Sequence, residues 1–317
     1  MPQPPKVLLK FLGISLEESE ELSMDFAVLG GTIAVLLGGE DSAAEKLTAF
    51  AAGTETPRKG KVLTGSEMAP ASSKEGKQST GYITGKVDVP PGMTVRGSVA
   101  LTVSSSSRDQ KKSAEITDGL LNWLDLDRVA STPVEDLETP VLQRTAMALA
   151  MALSPELLIL NCPVHDSLHR RLKEFAAAGN AVLIRASTLG EIPFGVERIA
   201  LCDRRGVVNV VRHSELRAKS MGGAEISVSF YPSLPRAQLE KIHGLRNLLH
   251  KDGSYRFTHS DTIYAVTQIM NLARANSRVV AELHIAPVPP ESLIRLFEGP
   301  HITDNAPGNS LFEEESF

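Results

Sequence analysis

The sequence predicts two domains, an α/β domain built on a parallel sheet and then a smaller α+β domain. Up to about residue 220 the chain carries short, continuous apolar runs, which are typical of strands covered on both faces. Beyond Met221-Gly222-Gly223, apolar and polar residues alternate as in antiparallel strands. The chain has 317 residues, which suits two domains of ordinary size.

The strands of the first domain are predicted from apolar runs that end in turn residues. They are FAVL (26–29), TIAVLLG (32–38), LLIL (157–160), AVLIRA (181–186) and RIALCD (198–203). Val141 to Leu153 predicts a helix, because Ala and Met recur at close spacing and Pro155 follows its end. Ser104 to Ser107, which precede RDQKK, predict an exposed linker between a strand and a helix.

The second domain is predicted as a ferredoxin-like sandwich with the order β-α-β-β-α-β. Its segments are the strand AEISVSFY, the helix SLPRAQLEKIHG ending at Gly244, a hairpin around Asp252-Gly253, a helix capped by Ser260 or Asp261, and the strand RVVAELHIAP. PPESLIRLF predicts a further short helix that begins with proline. We therefore expect domains at 1–220 and 221–299, followed by a disordered acidic tail at 300–317.

Composition excludes some classes of function. The formal net charge of −5 does not favour a uniform nucleic-acid surface, and one Trp and four Tyr leave little aromatic surface for bases. No apolar run is long enough to span a bilayer, and the stretch MPQPPKVLLKFLG has neither a long apolar h-region nor a small-residue cleavage site. Cys162 and Cys202 both follow apolar runs, which predicts buried thiols in a reducing compartment. We expect a cytoplasmic protein that reaches a membrane only by docking.

A strand that enters a glycine turn and then a helix, TIAVLLGGEDSAAEKL, is the setting of a phosphate-binding loop. That chemistry needs glycines for close backbone approach, a lysine for the phosphates and a hydroxyl for Mg²⁺. Here Gly38 and Gly39 are followed by Glu40, Asp41 and Ser42. Two carboxylates would repel a triphosphate by several kcal/mol at ~4 Å. The local alternative is an ordinary strand-to-helix turn capped by Asp41 or Ser42.

Four longer segments resemble ABC transporter ATP-binding subunits. They are GGTIAVLLGGEDSAAEKLTAFAAGTETPRKGKVLTGSE (Walker A strand and hairpin), STGYITGKVDVPPGMTVRGSVALTV (Q-loop), LETPVLQRTAMALAMALSPELLILNCP (signature to Walker B) and AVLIRASTLGEIPFGVERIALCDRRGVV (switch strand). The C-terminal domain, closing in VPPESLIRLFEG, is similar to the one appended to ABC-2 type subunits of exporters and gliding-type systems. The resemblance covers residues 5–298 and implies a P-loop NTPase-like ABC nucleotide-binding fold.

The functional positions that the resemblance implies carry other residues here. The phosphate-loop lysine falls on Ala44, the Mg²⁺-binding hydroxyl on Glu45 and the Q-loop glutamine on Gly85. The signature falls on Leu137-Glu138-Thr139-Pro140-Val141. The Walker B aspartate falls on Asn161, the general-base glutamate on Cys162, the D-loop aspartate near Leu168 and the switch histidine on Ser187. Because every member of one positioned electrostatic site is replaced, we expect no ATPase activity and no bound cofactor.

The resemblance therefore predicts a pseudo-ATPase subunit that acts as a structural or regulatory partner in an ABC-2-like membrane complex. Its expected partners are a multi-span permease, an active ABC paralogue or a second copy, at the inner face of the membrane. One alternative is a divergent ATPase that binds ATP and Mg²⁺, using Lys46, Lys59 or Lys61 for the loop lysine and Asp166 for the Walker B acid. Another is a regulatory module whose acidic loop takes a cation or a basic partner.

Three other kinds of constellation point to weaker hypotheses. His165 and His169 lie four residues apart near Cys162, which is the spacing of a metal site, but no fourth ligand follows and one face of a surface helix explains them. Ser187 lacks the G-x-S-x-G context of a hydrolase. The clusters at His169-Arg170-Arg171 and Arg204-Arg205 are typical of a solvated face. We predict no metal site.

Overall fold

The computed structural model describes residues 6–16, 24–39, 41–106, 109–193, 195–196, 198–220, 223–251 and 253–288. They form two compact units that divide between Val210 and Val211. The division predicted from the sequence lies about ten residues later, between residues 220 and 221, at Met221-Gly222-Gly223. The helix predicted within 289–297 and the tail 300–317 lie outside the described residues.

The first unit contains two sheets and the helices that cover them. Its strands are β1 (Val7–Ser15), β2 (Met24–Leu29), β3 (Ile33–Leu37), β4 (Lys59–Thr64), β5 (Ala69–Pro70), β6 (Thr80–Ile83), β7 (Leu157–Leu160), β8 (Ala181–Ala186), β9 (Arg198–Asp203) and β10 (Gly206–Arg212). Its helices are α1 (Ala44–Ala51), α2 (Lys74–Gln78), α3 (Val95–Ser106), α4 (Gln110–Trp123), α5 (Thr139–Met151) and α6 (Asp166–Ala177). The predicted apolar strands and the helix of α5 are therefore confirmed.

The larger sheet has the strand order β10-β9-β3-β8-β7-β6, and β9, β3, β8, β7 and β6 run parallel. β7 is buried at every position, and β3 and β8 at all but one, as expected for a sheet covered on both faces. The smaller sheet, β2-β1-β4-β5, is antiparallel. α1 packs between them through Leu47 and Phe50, in one core with Phe11 and Phe26 of the smaller sheet.

The prediction of a linker at Ser104–Ser107 is wrong for Ser104 to Ser106, because α3 continues through Ser106. The element before it is a helix rather than a strand. Val99 and Val103 are fully buried one turn apart, and this burial holds the helix in place. The hydroxyl of Ser105 donates to the carbonyl of Thr102, so a serine-rich stretch finds its partners inside the helix. Residues 107 and 108 lie outside the described residues.

The second unit follows the predicted element order. It contains α7 (His213–Ser220), β11 (Ala224–Tyr231), α8 (Arg236–Leu239), β12 (Arg246–Lys251), β13 (Ser254–His259), α9 (Thr262–Ala275) and β14 (Val279–Pro287). The antiparallel sheet has the order β12-β13-β11-β14. Alternate residues of β11 pack against α9 in a second core that includes Phe257 and Ile269. Asp261 caps α9 by accepting a hydrogen bond from the Tyr264 N–H at 2.9 Å.

The helix predicted over SLPRAQLEKIHG is much shorter in the structure, where α8 covers Arg236–Leu239 alone. The chain then turns, and Gly244 adopts a left-handed conformation with φ of +83°. The imidazole Nε2 of buried His259 donates to the carbonyl of His243 at 2.8 Å, while its Nδ1 accepts from the Asp261 N–H at 2.9 Å. His259 thus binds the carbonyl of His243 in the turn that follows α8.

No helix in the parts of the chain that the structure describes is both long and apolar enough to cross a bilayer.

Leu47→Ala should destabilise the first unit by about 2–5 kcal/mol, because it leaves a cavity between α1 and the sheets. Leu101→Ala is the matched control, since Leu101 is also helical but 59% exposed. Urea unfolding followed by the fluorescence of Trp123, the single tryptophan, measures both variants. Equal losses in the two variants would contradict the placement of α1 in the core.

Candidate functional site

Three neighbouring parallel strands place the predicted site positions at one edge of the larger sheet. β3 pairs with β8, and β8 with β7, in continuous register. Gly38 follows β3, Asn161 follows β7 and Ser187 follows β8, each directly after the last strand residue. The carboxyl ends of such strands are where open α/β sheets bind ligands. The candidate site is this edge together with the loop that leads into α1.

The described part of the loop between β3 and α1, residues 38–39 and 41–43, is closed by hydrogen bonds within the loop and to β9. The N–H of Ser42 donates to the Gly39 carbonyl at 3.0 Å, and the N–H of Ala43 donates to the Asp203 carbonyl at 2.7 Å. Ala43 and Ala44 are buried. A phosphate-binding loop works by directing such N–H groups at the ligand, and here two of them already have protein acceptors.

Gly38 fits this closed loop because it has no side chain. A Cβ at this position would lie 2.2 Å from Ser42 Oγ and 2.9 Å from the carbonyl oxygen of Cys202. The Ser42 side chain therefore folds over the glycine, inside the turn. It also lies 3.4 Å from the Ala44 N–H as an acceptor, as in a local helix cap. The N-cap position of α1 is Ala43, which makes no side-chain cap hydrogen bond, so the cap predicted from Asp41 or Ser42 is represented by this long contact alone.

Glu45, at the position where a Mg²⁺-binding hydroxyl is predicted, faces an arginine. Arg185 Nη2 on β8 lies 3.9 Å from Glu45 Oε2, and the Arg185 side chain is only 18% exposed. Arg185 Nε is buried without a hydrogen-bond partner among the described residues. The Glu45 side chain is 63% exposed, so this is a partly exposed pair of opposite charges, and it forms without a ligand.

Asn161 continues the same polar region on β7. Its Nδ2 donates to the hydroxyl of Tyr82 on β6 at 3.0 Å, while its Oδ1 is buried with no partner in the described part of the chain. The amide is neutral and offers one carbonyl-type oxygen, whereas the carboxylates preferred by Mg²⁺ bring negative charge. The position can therefore hold the strand end by hydrogen bonding without supplying charge for a divalent cation.

Gly85 and Cys162, the predicted Q-loop and general-base positions, pack on each other. Gly85 is left-handed, with φ of +80°, and a Cβ built on it would lie 3.1 Å from Cys162 Cβ. Burial raises the pKa of the Cys162 thiol to about 11, so the thiolate is not formed at neutral pH. This pair fills space and provides neither a base nor a nucleophile.

The predicted signature residues form the beginning of α5. Glu138 precedes the helix, and Thr139 and Pro140 begin it. Pro140 has no N–H, and the N–H of Val141 donates to the Glu138 carbonyl at 2.9 Å. Leu137 is half-buried just before them. This helix start offers few free donors and carries a carboxylate, so it is a poor anion site.

Gln143 ties α5 to the segment that follows β7. Its buried amide donates from Nε2 to the Pro163 carbonyl at 2.6 Å and accepts the His165 N–H on Oε1 at 2.9 Å. Ser187 is held in a similar way, because its N–H donates to Glu191 Oε2 at 2.8 Å. Leu168, near which the D-loop aspartate was predicted, is fully buried in α6. The loops around the site are therefore held by protein contacts.

The residues proposed for a divergent ATPase do not converge on this edge. Lys46 is exposed on α1, and Lys59 and Lys61 lie on β4 of the smaller sheet. Asp166 begins α6 with its side chain 94% exposed. The acidic loop is also compensated, because Asp41 Oδ2 lies 2.7 Å from Arg204 Nη2. This pairing weakens the reading of the loop as a cation or basic-partner site.

The predicted pair of histidines does not form a metal site with Cys162. Among the described residues, no group of three His, Cys, Asp or Glu side chains is placed to hold a metal ion. His165 accepts the Ser167 N–H on Nδ1 at 3.2 Å, so it caps α6. His169 Nδ1 lies 3.6 Å from Asp166 on the same helix.

Sequence reasoning missed Arg185 and Gln143. Arg185 had a signal, since it is a charged residue inside the otherwise apolar strand AVLIRA, and such a residue is rarely buried without a partner. Gln143 had none, because a glutamine on a predicted helix is ordinary, and only the tertiary structure reveals its two contacts.

Comparisons with known proteins agree with the predicted resemblance. The chain is 23% identical over 279 residues to the Nod factor export ATP-binding protein I of Rhizobium johnstonii, covering 84% of this chain and 85% of the relative. With the Nod factor export ATP-binding protein I of Neorhizobium galegae it is 24% identical over 189 residues, which span 57% of this chain and about half, 53%, of the relative. No protein-family model matches the chain.

Solved structures show the same fold. The cbiO1 subunit of the cbiONQ ABC transporter complex of Clostridium perfringens superposes with a TM-score of 0.59 at 18% identity, covering 68% of this chain and 92% of that one. An inward-facing metal-chelate type ABC transporter gives a TM-score of 0.55 at 15% identity, over 80% of this chain and 96% of that one. The resemblance to ABC transporter ATP-binding subunits is thus confirmed, and the α/β fold is theirs.

Gly85→Gln should destabilise the protein by about 1–2 kcal/mol, because glutamine strains a left-handed backbone. Gly119→Gln is the matched control, since Gly119 lies inside α4 with open space around its Cβ. The control should be neutral or stabilising by up to about 1 kcal/mol. Chemical denaturation measures both, and a neutral Gly85→Gln would show that the loop accommodates a glutamine.

His169 should make the protein acid-sensitive. Burial lowers the pKa of its imidazole below the ordinary value, against the opposing pull of the Asp166 carboxylate. The unfolded state therefore binds this proton first as the pH falls, and stability is lost from the ordinary histidine pKa down to the lowered one. Between about pH 7.5 and about pH 5.5, the midpoint temperature of thermal unfolding should fall more steeply with pH for the wild type than for His169→Gln. An equal pH dependence of the two midpoint temperatures would contradict a buried, neutral His169.

Proposed function

We propose that this chain is a catalytically degenerate ABC transporter ATP-binding-type subunit, which acts as a structural or regulatory partner in an ABC-2-like membrane complex. The observation that carries the proposal is the closed loop between β3 and α1. Its Ala43 N–H donates to the Asp203 carbonyl at 2.7 Å, so a donor expected to face a phosphate is already bound. Opening the loop for ATP would cost these bonds before any contact to nucleotide forms.

The charges at the site support the same proposal. A triphosphate with Mg²⁺ needs a lysine and carboxylates that act on the ligand. At this edge, Arg185 faces Glu45, and Asp41 faces Arg204. Asn161 and Cys162 are neutral, the latter because burial raises the pKa of its thiol to about 11. Each of the two carboxylates, Glu45 and Asp41, therefore lies beside an arginine within the protein, although both carboxylates are exposed.

The replaced signature positions would also affect the ATP site of a subunit that pairs with this chain. In ABC dimers, as the resemblance implies, each ATP site combines the phosphate loop of one protomer with the signature of the other. This chain would impair one site through Glu45 and the other through Glu138 and Pro140. In a complex that contains this chain, coupling to the membrane partner would therefore depend on the shape of the contact surface.

The partner that this proposal favours is a multi-span permease at the inner face of the membrane, with an active ABC paralogue or a second copy as further partners. The names of the relatives support this choice, because they are ATP-binding proteins of an export system and a subunit of an ABC transporter complex. We place the permease contact on the surface that includes Gly85 and α4. ABC-2 and gliding-type systems remain the expected class.

A calorimetric titration with ATP and Mg²⁺ tests the proposal. Wild-type protein should give no heat and no thermal shift at millimolar nucleotide, because the Ser42 and Ala43 N–H groups are engaged and the position of the phosphate-loop lysine carries Ala44. An intact ABC ATP-binding subunit, titrated in parallel, should show both signals. Micromolar binding by the wild type would contradict the pseudo-ATPase assignment and would favour the divergent ATPase.

A further inference from the structure

The strand β14 forms one edge of the sheet in the second unit. It is nine residues long, pairs with β11 on one side, and has no strand on its other side among the described residues. An edge strand presents unpaired N–H and C=O groups, which can pair with another strand. Natural proteins usually protect long edges with charges, irregularities or short length.

The two edges of this sheet differ in their protection. β12, the opposite edge, has six residues and carries Arg246, His250 and Lys251. β14 carries two ionisable side chains, Glu282 and His284, and the rest of the strand is apolar. Val279 and Ile285 on β14 are 65% and 45% exposed. A further strand can therefore pair more readily with β14 than with β12, whose basic side chains disfavour pairing.

We propose that β14 pairs antiparallel with β14 of a second copy, about a two-fold axis at Leu283, and that this joins the two sheets into one. This register brings Glu282 opposite the partner subunit's His284 twice, once on each side of the axis. A carboxylate then accepts a hydrogen bond from an imidazole, with added attraction when the imidazole is protonated.

The two neighbouring registers that keep the same faces together lack this match. An axis at Glu282 places two carboxylates opposite each other, and an axis at His284 places two imidazoles opposite each other. Like charges in directly opposed positions destabilise a strand pair. Charge complementarity therefore selects Leu283 as the centre and a copy of the same strand as the occupant.

The faces of the sheet fit this pairing. Leu283 and Ile285 lie opposite Val228 and Ile226 of β11, on the face that α9 covers. Glu282 and His284 lie opposite Ser229 and Ser227, on the other face. The register with β11 is regular from Pro287 to Glu282, and the irregularity falls beyond Ser229.

In the paired sheet, Leu283 meets its own counterpart on the apolar face, and the ionic pairs form on the polar face. Ala281 lies at the irregularity of the pairing with β11, so the regular part of the new pairing spans Glu282 to His284 of each copy. This association requires neither nucleotide nor the function proposed above.

Disulfide trapping in the full chain tests the register. Leu283→Cys should cross-link with itself under mild oxidation, because directly opposed Cβ atoms lie about 4.5–5.5 Å apart, close to disulfide reach. Cys162 and Cys202 are buried and should stay unreactive. Leu249→Cys on β12, where Leu249 is 62% exposed, is the matched control and should cross-link several-fold less. Equal cross-linking in the two variants, or none in Leu283→Cys, would overturn the proposal.

A charge swap tests the ionic pairs with little change to the core. Glu282→Lys should weaken self-association several-fold in sedimentation equilibrium, because the new lysine faces His284. Glu282→Lys combined with His284→Glu should restore it, since the lysine then faces a carboxylate. A monomeric wild type, an unaffected single variant or a double variant that stays as weak as the single one would each overturn the register.

Discussion

The parallel pairing of β3, β8 and β7 is the constraint on which the rest of the first unit depends. These strands are buried almost throughout, so their sequences must be apolar, and their register brings three strand ends to one edge. Burial is satisfied by many combinations of Val, Leu, Ile and Ala. The framework can therefore persist while the residues just beyond each strand change, and this chain combines an ABC-type sheet with unusual loop residues.

Polar residues at the ends of buried strands need partners, because a buried polar group without one is costly. At this edge several such residues meet one another. Arg185 faces Glu45, whose side chain is 63% exposed, and Asn161 bonds to Tyr82. Ser42 fills the space over Gly38, and Cys162 packs on Gly85. Each contact gives a residue at the strand ends a partner within the protein.

The sequence predicted the strands and the order of elements in the second unit. Those predictions depend on apolar periodicity and on turn residues, which short windows contain. The site positions came from the resemblance, and the structure adds that Gly38, Asn161 and Ser187 follow three neighbouring strands. The sequence prediction failed at Ser104–Ser106, where burial of Val99 and Val103 overrides serine composition, and at α8, where buried His259 holds the carbonyl of His243. The pairings of Arg185 and Gln143 were also missed, because partners far apart in sequence meet only in the folded chain.

The Ala43 N–H, at the end of the loop between β3 and α1, donates to the Asp203 carbonyl and is not available to a phosphate. Amide hydrogen exchange at Ala43, followed by NMR with and without millimolar ATP and Mg²⁺, measures whether this bond is present. The amide should be protected in the absence of nucleotide, and nucleotide should leave its exchange rate unchanged. Fast exchange without nucleotide, with protection appearing when ATP and Mg²⁺ are added, would instead show an open phosphate-binding loop.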